Sequence, residues 1–242
     1  MHIDHNLKVP LYHQLKEELK KRIHGGEYKN GDMLPSEKEL MERHDLSSTT
    51  IRRALNDLVH EKYLERKAGK GTFVKMQKVT RNLKRIIGFT NNMLEMGLQP
   101  STRVLSLREL PANIFALERL GLKKGAIVFE LKRLRLANDI PMMLETRYIR
   151  KDLCPDLDSH ALNSSLWHVF ETAYNLKPTR HIQGMRVSTV SGEPAKLLNV
   201  DDGTNIFLIR GVTFTYDNLP VECEESLYRA DKYDLTFEAE LE

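Results

Sequence analysis

Apolar residues recur at every fourth position in Leu11, Leu15, Leu19 and Ile23, which predicts one helical stripe opened by Pro10 and stopped by Gly25 and Gly26. A turn-like run, Lys29-Asn30-Gly31-Asp32, follows. Ser36 then stands as an N-cap with Glu39 three residues on, the capping box of a second helix through Leu40 and Met41. A third helix begins near Ser47. Its residues Ile51, Ala54, Leu55, Leu58 and Val59 fall on one face, so Thr49, Arg52, Arg53 and Asn56 point the other way. Only Arg43-His44-Asp45-Leu46 separates these two helices, the short connection of a helix-turn-helix. Residues 63–67 and 72–75 alternate as two strands around Ala68-Gly69-Lys70-Gly71, a glycine-rich hairpin tip that forms a wing.

Residues 76–83 follow no period and read as a linker between a domain at 1–75 and a second at 84–242. The second region alternates strand and helix patterns. Strands are expected at 102–110, 127–137, 141–149, 179–190, 206–216 and 219–229, with hairpin turns at Asn138-Asp139 and Asp217-Asn218. A short helix is expected from Asn113 to Leu120, and an amphipathic one carrying Leu166, Val169, Phe170, Ala173 and Tyr174 behind Ser164 and Ser165. The fold class is therefore α+β in two domains, a winged helix-turn-helix followed by a mostly antiparallel sheet with helices.

The length of 242 residues accommodates both domains. Charge is uneven: the net +3 divides into +4 over residues 1–78 and −1 over the remainder, and the window 47–85 holds eleven basic residues against three acidic ones. Such crowding fits either a nucleic-acid backbone or a solvated basic surface. Cys154 and Cys223 lack metal-ligand spacing and read as reduced core residues, so no metal site and no disulfide scaffold is expected. With no apolar run long enough to span a membrane and no signal pattern, the protein is expected in the cytoplasm, without a membrane partner.

On the third helix, the outward donors are of the types that reach base edges and phosphates, while Lys70 with Arg66 and Lys67 offers phosphate contacts at the wing. In the second domain, Arg133 and Arg135 continue the face of Ile127, Phe129 and Leu131, at the margin of an apolar surface. They either hold a phosphate or carboxylate, helped by the helix N-terminus at Ser164 and Ser165, or have left the core for solvent. The turn at 217–218 pairs Thr213 with Glu222 and Phe207 with Tyr228. It places Glu222, Glu224, Ser226 and Tyr228 on one face, a wall suited to sugar hydroxyls or a plain solvent face.

Three blocks in order, residues 34–37, 50–58 and 69–74, resemble the DNA-binding domain of GntR-type bacterial transcription regulators. The resemblance implies operator DNA as partner and assigns the contact to Lys38, Ser48, Thr49, Thr50, Arg52, Arg53, Asn56, Gly69, Lys70 and Gly71. Lys38 and Ser48 stand where the family usually carries arginine, and neither can fork a guanine, so the operator is expected to differ from the family's usual one. Residues 133–141, Glu145, 163–167 and 222–233 resemble the UTRA effector domain of the HutC subfamily, whose fold is like that of chorismate lyase. In members answering to amino-sugar 6-phosphates, the matching positions imply Thr90, Arg133, Arg135 and Ser165 around the phosphate, beside the Ser164 of the helix N-terminus named above. They imply Glu145, Glu222 and Tyr228 towards the sugar, with Trp167 replacing a tyrosine. A regular turn at 138–139 would instead pair Glu145 with Lys132 on the opposite face, unless Pro141 marks a bulge that shifts the register. The implied protein is a homodimeric repressor released from its operator by a small phosphorylated sugar or amino sugar, with no cofactor besides that effector and no catalysis. The alternatives are a chorismate-lyase-like enzyme and a regulator answering to a non-phosphorylated carboxylate.

Overall fold

In the computed structural model, residues 3–4, 7–24, 27–75, 78–82 and 87–236 are described. The chain divides into two compact units, Met1–Lys78 and Val79–Glu242.

The first unit carries α1 (Leu11–His24), α2 (Glu37–His44), α3 (Ser48–His60), β1 (Leu64–Lys67) and β2 (Gly71–Val74). The helix stripes meet as read: Leu15, Leu19, Ile23, Leu40, Ile51 and Leu55 are all buried in one cluster, closed by Leu64 and Val74 of the wing. Gly25 and Gly26, the expected stop of α1, lie outside the described residues. The capping box forms, with Ser36 accepting from the Glu39 amide and Glu39 accepting at 2.7 Å from the Ser36 amide. Helix α2 runs through Arg43 and His44, and Asp45 turns the chain in the left-handed region at φ 53°. Ser47 caps α3.

The second unit contains β3 (Val79–Asn82), α4 (Phe89–Glu95), β4 (Pro100–Pro111), α5 (Ile114–Leu120), β5 (Ile127–Ala137), β6 (Ile140–Arg150), α6 (Leu166–Tyr174), β7 (Arg180–Val190), α7 (Glu193–Leu198), β8 (Thr204–Phe214), β9 (Pro220–Arg229) and β10 (Tyr233–Thr236). Six strands form an antiparallel sheet in the order β4-β5-β6-β9-β8-β7. Helices α5 and α7 pack on one face, and α4 and α6 lie on the other. Cys154 and Cys223 are buried free thiols, and burial pushes the Cys154 thiol up to about 12, where it is inert as a nucleophile.

Two expectations need correction. Residues 79–82, read as linker, are a strand that pairs in parallel with β10, Val79 opposite Tyr233 and Arg81 opposite Leu235. The second unit therefore begins at Val79 rather than at residue 84. Met76, Gln77 and Leu83 of that supposed linker lie outside the described residues. The register of β5 against β6 also differs from that of a plain hairpin. Asn138 and Asp139 make the tight turn, both at positive φ, but the ladder shifts between Leu136 opposite Pro141 and Arg135 opposite Met143. Met142 is the extra residue. The bulge beside Pro141 moves every later β6 residue by one place, which sets Glu145 opposite Arg133 and turns it to the arginine face.

Candidate functional site

In the N-terminal unit the outward surface of α3 and the wing tip present the expected donors. Lys38 is 86% exposed at its side chain, and Thr49, Arg52, Arg53, Asn56 and Lys70 are exposed, whereas Ser48 and Thr50 are half-buried. Thr50 is occupied within the cap, its hydroxyl 2.9 Å from that of Ser47. Arg53 is not free-standing: its guanidinium lies 3.8 Å over the Tyr12 ring of α1. Arg52 donates through Nε to Glu37 at 2.8 Å, and Arg66 of the wing reaches the other Glu37 oxygen at 3.4 Å. Glu37 thus holds one arginine of the helix and one of the wing, leaving the terminal nitrogens of Arg52 able to fork a base or phosphate. At the wing tip Gly69 and Gly71 have φ of 69° and 122°, conformations that L side chains rarely adopt, so glycine is required for this tight turn. The resulting surface is rich in basic donors and ends in a glycine-flanked lysine, a composition that suits a groove of duplex DNA.

The second unit holds a cavity of about 40 Å³ on the sheet face beneath α4 and α6, room for about three waters. Its floor comes from alternate residues of neighbouring strands. One row across the sheet reads Arg135, Met143, Tyr228; the next Arg133, Glu145, Ser226; the next Leu131, Arg147, Glu224. Thr90, Phe89, Ser165, Trp167 and His181 line it from α4, α6 and β7, and Arg81 and Tyr233 from the β3–β10 pair.

Arg133 is 1% exposed and donates to Glu145 and to the carbonyls of Leu162 at 2.9 Å and Ser164 at 3.1 Å. Arg135 reaches the Thr90 hydroxyl at 2.9 Å and Glu145 at 3.4 Å, with Phe89 4.6 Å beneath its guanidinium, but its Nε is buried without a partner among the described residues. Both arginines are indoors, and the solvent alternative is excluded. Burial disfavours the charged form of Glu145, yet Arg133, Arg147 and Arg135 outweigh that and hold its carboxyl down at about 2. Burial lowers Arg133 to about 10, with Arg135 and Arg147 adding to the drop and Glu145 opposing it. Glu145 and Arg133 are therefore both charged at neutral pH.

Ser165 caps α6, accepting from the His168 amide at 3.4 Å, and lines the cavity, as does Trp167. Two assigned residues do not. The Ser164 hydroxyl is exposed and donates to the Ala161 carbonyl at 2.9 Å, so only its backbone carbonyl serves the site. Glu222 lies behind the lining: one oxygen accepts from Arg147 at 2.7 Å, Trp167 at 2.8 Å and Thr213 at 2.9 Å, fixing the orientation of the first two.

Arg147, Arg81, His181 and Tyr233 were missed. Arg147 bridges Glu145, Glu222 and Glu224, and these carboxylates hold its guanidinium well above the usual arginine range although burial opposes the charge. Its place on the face follows from the same bulge that moved Glu145, so a register that honoured Pro141 would have found it. His181 contacts Glu224 at 3.2 Å and Thr213 at 3.0 Å. Four guanidiniums thus line a cavity against two carboxylates, with Glu222 behind them, an arrangement that favours an anion.

Among the described residues no group of His, Cys, Asp and Glu could hold a metal, and no helix is long and apolar enough to cross a membrane. Residues 11–74 match the family described as bacterial regulatory proteins, gntR family, and residues 95–234 match the UTRA domain. The chain is 32% identical over 233 residues to the HTH-type transcriptional repressor NagR of Bacillus subtilis, covering 96% of each. It is 29% identical over 229 residues, 94% of each, to a probable fructoselysine utilization operon transcriptional repressor of Escherichia coli. The crystal structure of PhnF from Mycobacterium smegmatis superposes with a TM-score of 0.68 at 25% identity, over 94% of this chain and 99% of that one. The donor-bearing third helix, the glycine-tipped wing and the cavity residues of the sheet and α6 thus fall in the matched segments, with Arg81 and the α4 residues between them, and the chain belongs to the gntR family of bacterial regulatory proteins, with a UTRA domain in its second unit.

Proposed function

We propose that this protein is a transcriptional repressor that leaves its operator when the UTRA cavity takes up a small phosphorylated sugar or amino sugar. The observation that carries the reading is the buried pair Arg133 and Arg135 beside the N-terminus of α6, with Arg135 Nε still lacking an acceptor. A phosphate offers oxygens to both guanidiniums, to Thr90 and Ser165, and to the free amides of the first helical turn. Glu145, Tyr228 and Glu224 then face hydroxyls. A relative named for fructoselysine utilization supports a sugar-derived effector.

The cavity is smaller than a sugar phosphate, so uptake has to move side chains. The cheapest to move are those on α4, a helix of seven residues, where Phe89 and Thr90 hold Arg135. An effector that competes for Arg135 therefore acts on α4, close behind the strand entering from the DNA-binding unit. If it prefers the arrangement unfit for DNA, it lowers operator affinity, and DNA lowers effector affinity by the same factor. The winged helix reads one half-site, so the protein acts as a symmetric homodimer on a two-fold operator in the cytoplasm. It needs no cofactor besides the effector and turns nothing over: each cavity carboxylate is committed to arginine, leaving none poised as acid or base.

The test uses a labelled duplex selected by the protein from a randomised pool, with fluorescence anisotropy recorded while glucosamine 6-phosphate, N-acetylglucosamine 6-phosphate, glucose 6-phosphate and their unphosphorylated parents are added. A phosphorylated sugar releases DNA where its parent does not. Release by none of the phosphates, or equally by the parents, refutes the reading.

A further inference from the structure

Of the four cavity arginines, three are paired with carboxylates: Arg133 and Arg135 with Glu145, and Arg147 with Glu145, Glu222 and Glu224. Arg81 is not. Its guanidinium donates at 2.5 Å to the Tyr228 hydroxyl and at 3.1 Å to the Gln183 side-chain oxygen, both neutral, and no carboxylate lies within ion-pair distance among the described residues. Beside it the Tyr233 hydroxyl, on a residue 2% exposed, has no hydrogen-bond partner among the described residues, and the rings of Tyr228 and Tyr233 meet edge to face at 5.0 Å. Arg81 and Tyr233 both line the cavity.

A guanidinium drawn out of water against neutral acceptors, next to an idle hydroxyl donor, is under-satisfied in the way a ligand oxygen would correct. We infer that Arg81 and Tyr233 form a second acceptor subsite, which takes a carboxylate of the effector in addition to the phosphate held by Arg133 and Arg135. Arg81 contributes the charge and Tyr233 the neutral donor, and Tyr228, already receiving from Arg81, can turn its own proton to the same group. Glu224 stabilises the Arg81 charge from a distance but accepts no hydrogen bond from it, so Arg81 repels an ammonium placed against it and the subsite favours phosphorylated sugar acids over phosphorylated amino sugars. This assignment rests on the phosphosugar reading above and narrows it.

Isothermal titration calorimetry on the full chain compares 6-phosphogluconate, glucose 6-phosphate and glucosamine 6-phosphate. The expected order is acid, then neutral sugar, then amine, with the acid favoured about tenfold or more over glucose 6-phosphate, the scale of a hydrogen bond to a charged group. In R81Q that preference falls below about threefold while glucose 6-phosphate keeps its affinity within the same range, because a single neutral amide replaces the charged fork. Y233F removes one hydroxyl without altering packing and lowers the acid's affinity more than that of the other two. Equal affinities in the wild type, or a preference that survives both substitutions, overturns the subsite while leaving the phosphate reading standing. Absence of binding by all three overturns the phosphate reading and this assignment together.

Discussion

Replacing Glu145 by glutamine tests the charge balance of the cavity directly. This carboxylate is 1% exposed and faces Arg133, Arg135 and Arg147. The fall of its pKa from 4.5 to about 2, burial opposing and the three arginines prevailing, corresponds to roughly 3 kcal/mol of preference for the charged form in the folded state. E145Q keeps the size and one acceptor but discards that preference, so the second unit loses about 3 kcal/mol, in line with other broken buried pairs. For a chain of this size that is a fall of roughly 6–12 °C in Tm. Trp167 is the sole tryptophan and lines the cavity, so its fluorescence follows this unit's transition in urea or on heating. The substitution also raises the excess of guanidinium charge, and inorganic phosphate therefore stabilises E145Q by more than it stabilises the wild type. The sign with pH follows from a depressed folded pKa: the wild-type contribution is complete above about pH 4.5 and is lost as pH falls towards 2, and E145Q lacks that portion of the slope. A loss under about 1 kcal/mol with no added response to phosphate would refute the reasoning, because 1 kcal/mol is the scale of an ordinary neutral hydrogen bond.

Three further substitutions address the first unit. S36A removes the reciprocal cap of α2 and costs about 1 kcal/mol, read as a lower urea midpoint with unchanged slope. K70A at the wing tip weakens DNA binding for every sequence alike and reduces the slope of log affinity against log salt by about 1; a sequence-selective loss would mean base contact instead. E37Q frees Arg52 and Arg66 from their shared carboxylate, so affinity for non-cognate duplex rises while the ratio of cognate to non-cognate binding falls, and an unchanged ratio would show that Glu37 does not position Arg52.

The N-terminal unit was legible nearly residue by residue because its signals are local. A cap, a 3.6-residue period and glycines at positive φ each act within one turn of chain, and they agreed with one another. The second unit depended on pairings between distant segments. The register at Glu145 turned on one residue, Met142, and the clue was the missing donor of Pro141 rather than any property of the glutamate. Strand β3 gave no period in four residues, and what makes it a strand is β10, some 150 positions away. Helices α4 and α7, at seven and six residues, start behind glycines that make no side-chain cap, whereas the equally short α5 is announced by Asn113. The face that Glu222 shares with Tyr228 is legible from the turn pairing, and its place towards the sugar is what the family resemblance implies, but the ladder alone does not tell that Trp167 and Arg147 stand between it and the cavity.

The pairing of β3 with β10 gives the misread segment its importance. Arg81 follows Lys78, the last residue of the first unit, by three positions, and its side chain lines the arginine cavity of the second. A ligand group that exchanges Tyr228 and Gln183 for itself as the partner of Arg81 changes the hydrogen bonds that hold β3, without touching the first unit. Arg133, on an interior strand of the six-stranded sheet and tied to Glu145 and to two backbone carbonyls, has no comparable freedom. Arg81 on β3 and Arg135 against α4 are thus the two places where a bound anion exchanges partners within the second unit, and only the part of its binding energy that differs between two arrangements of that unit can alter DNA affinity.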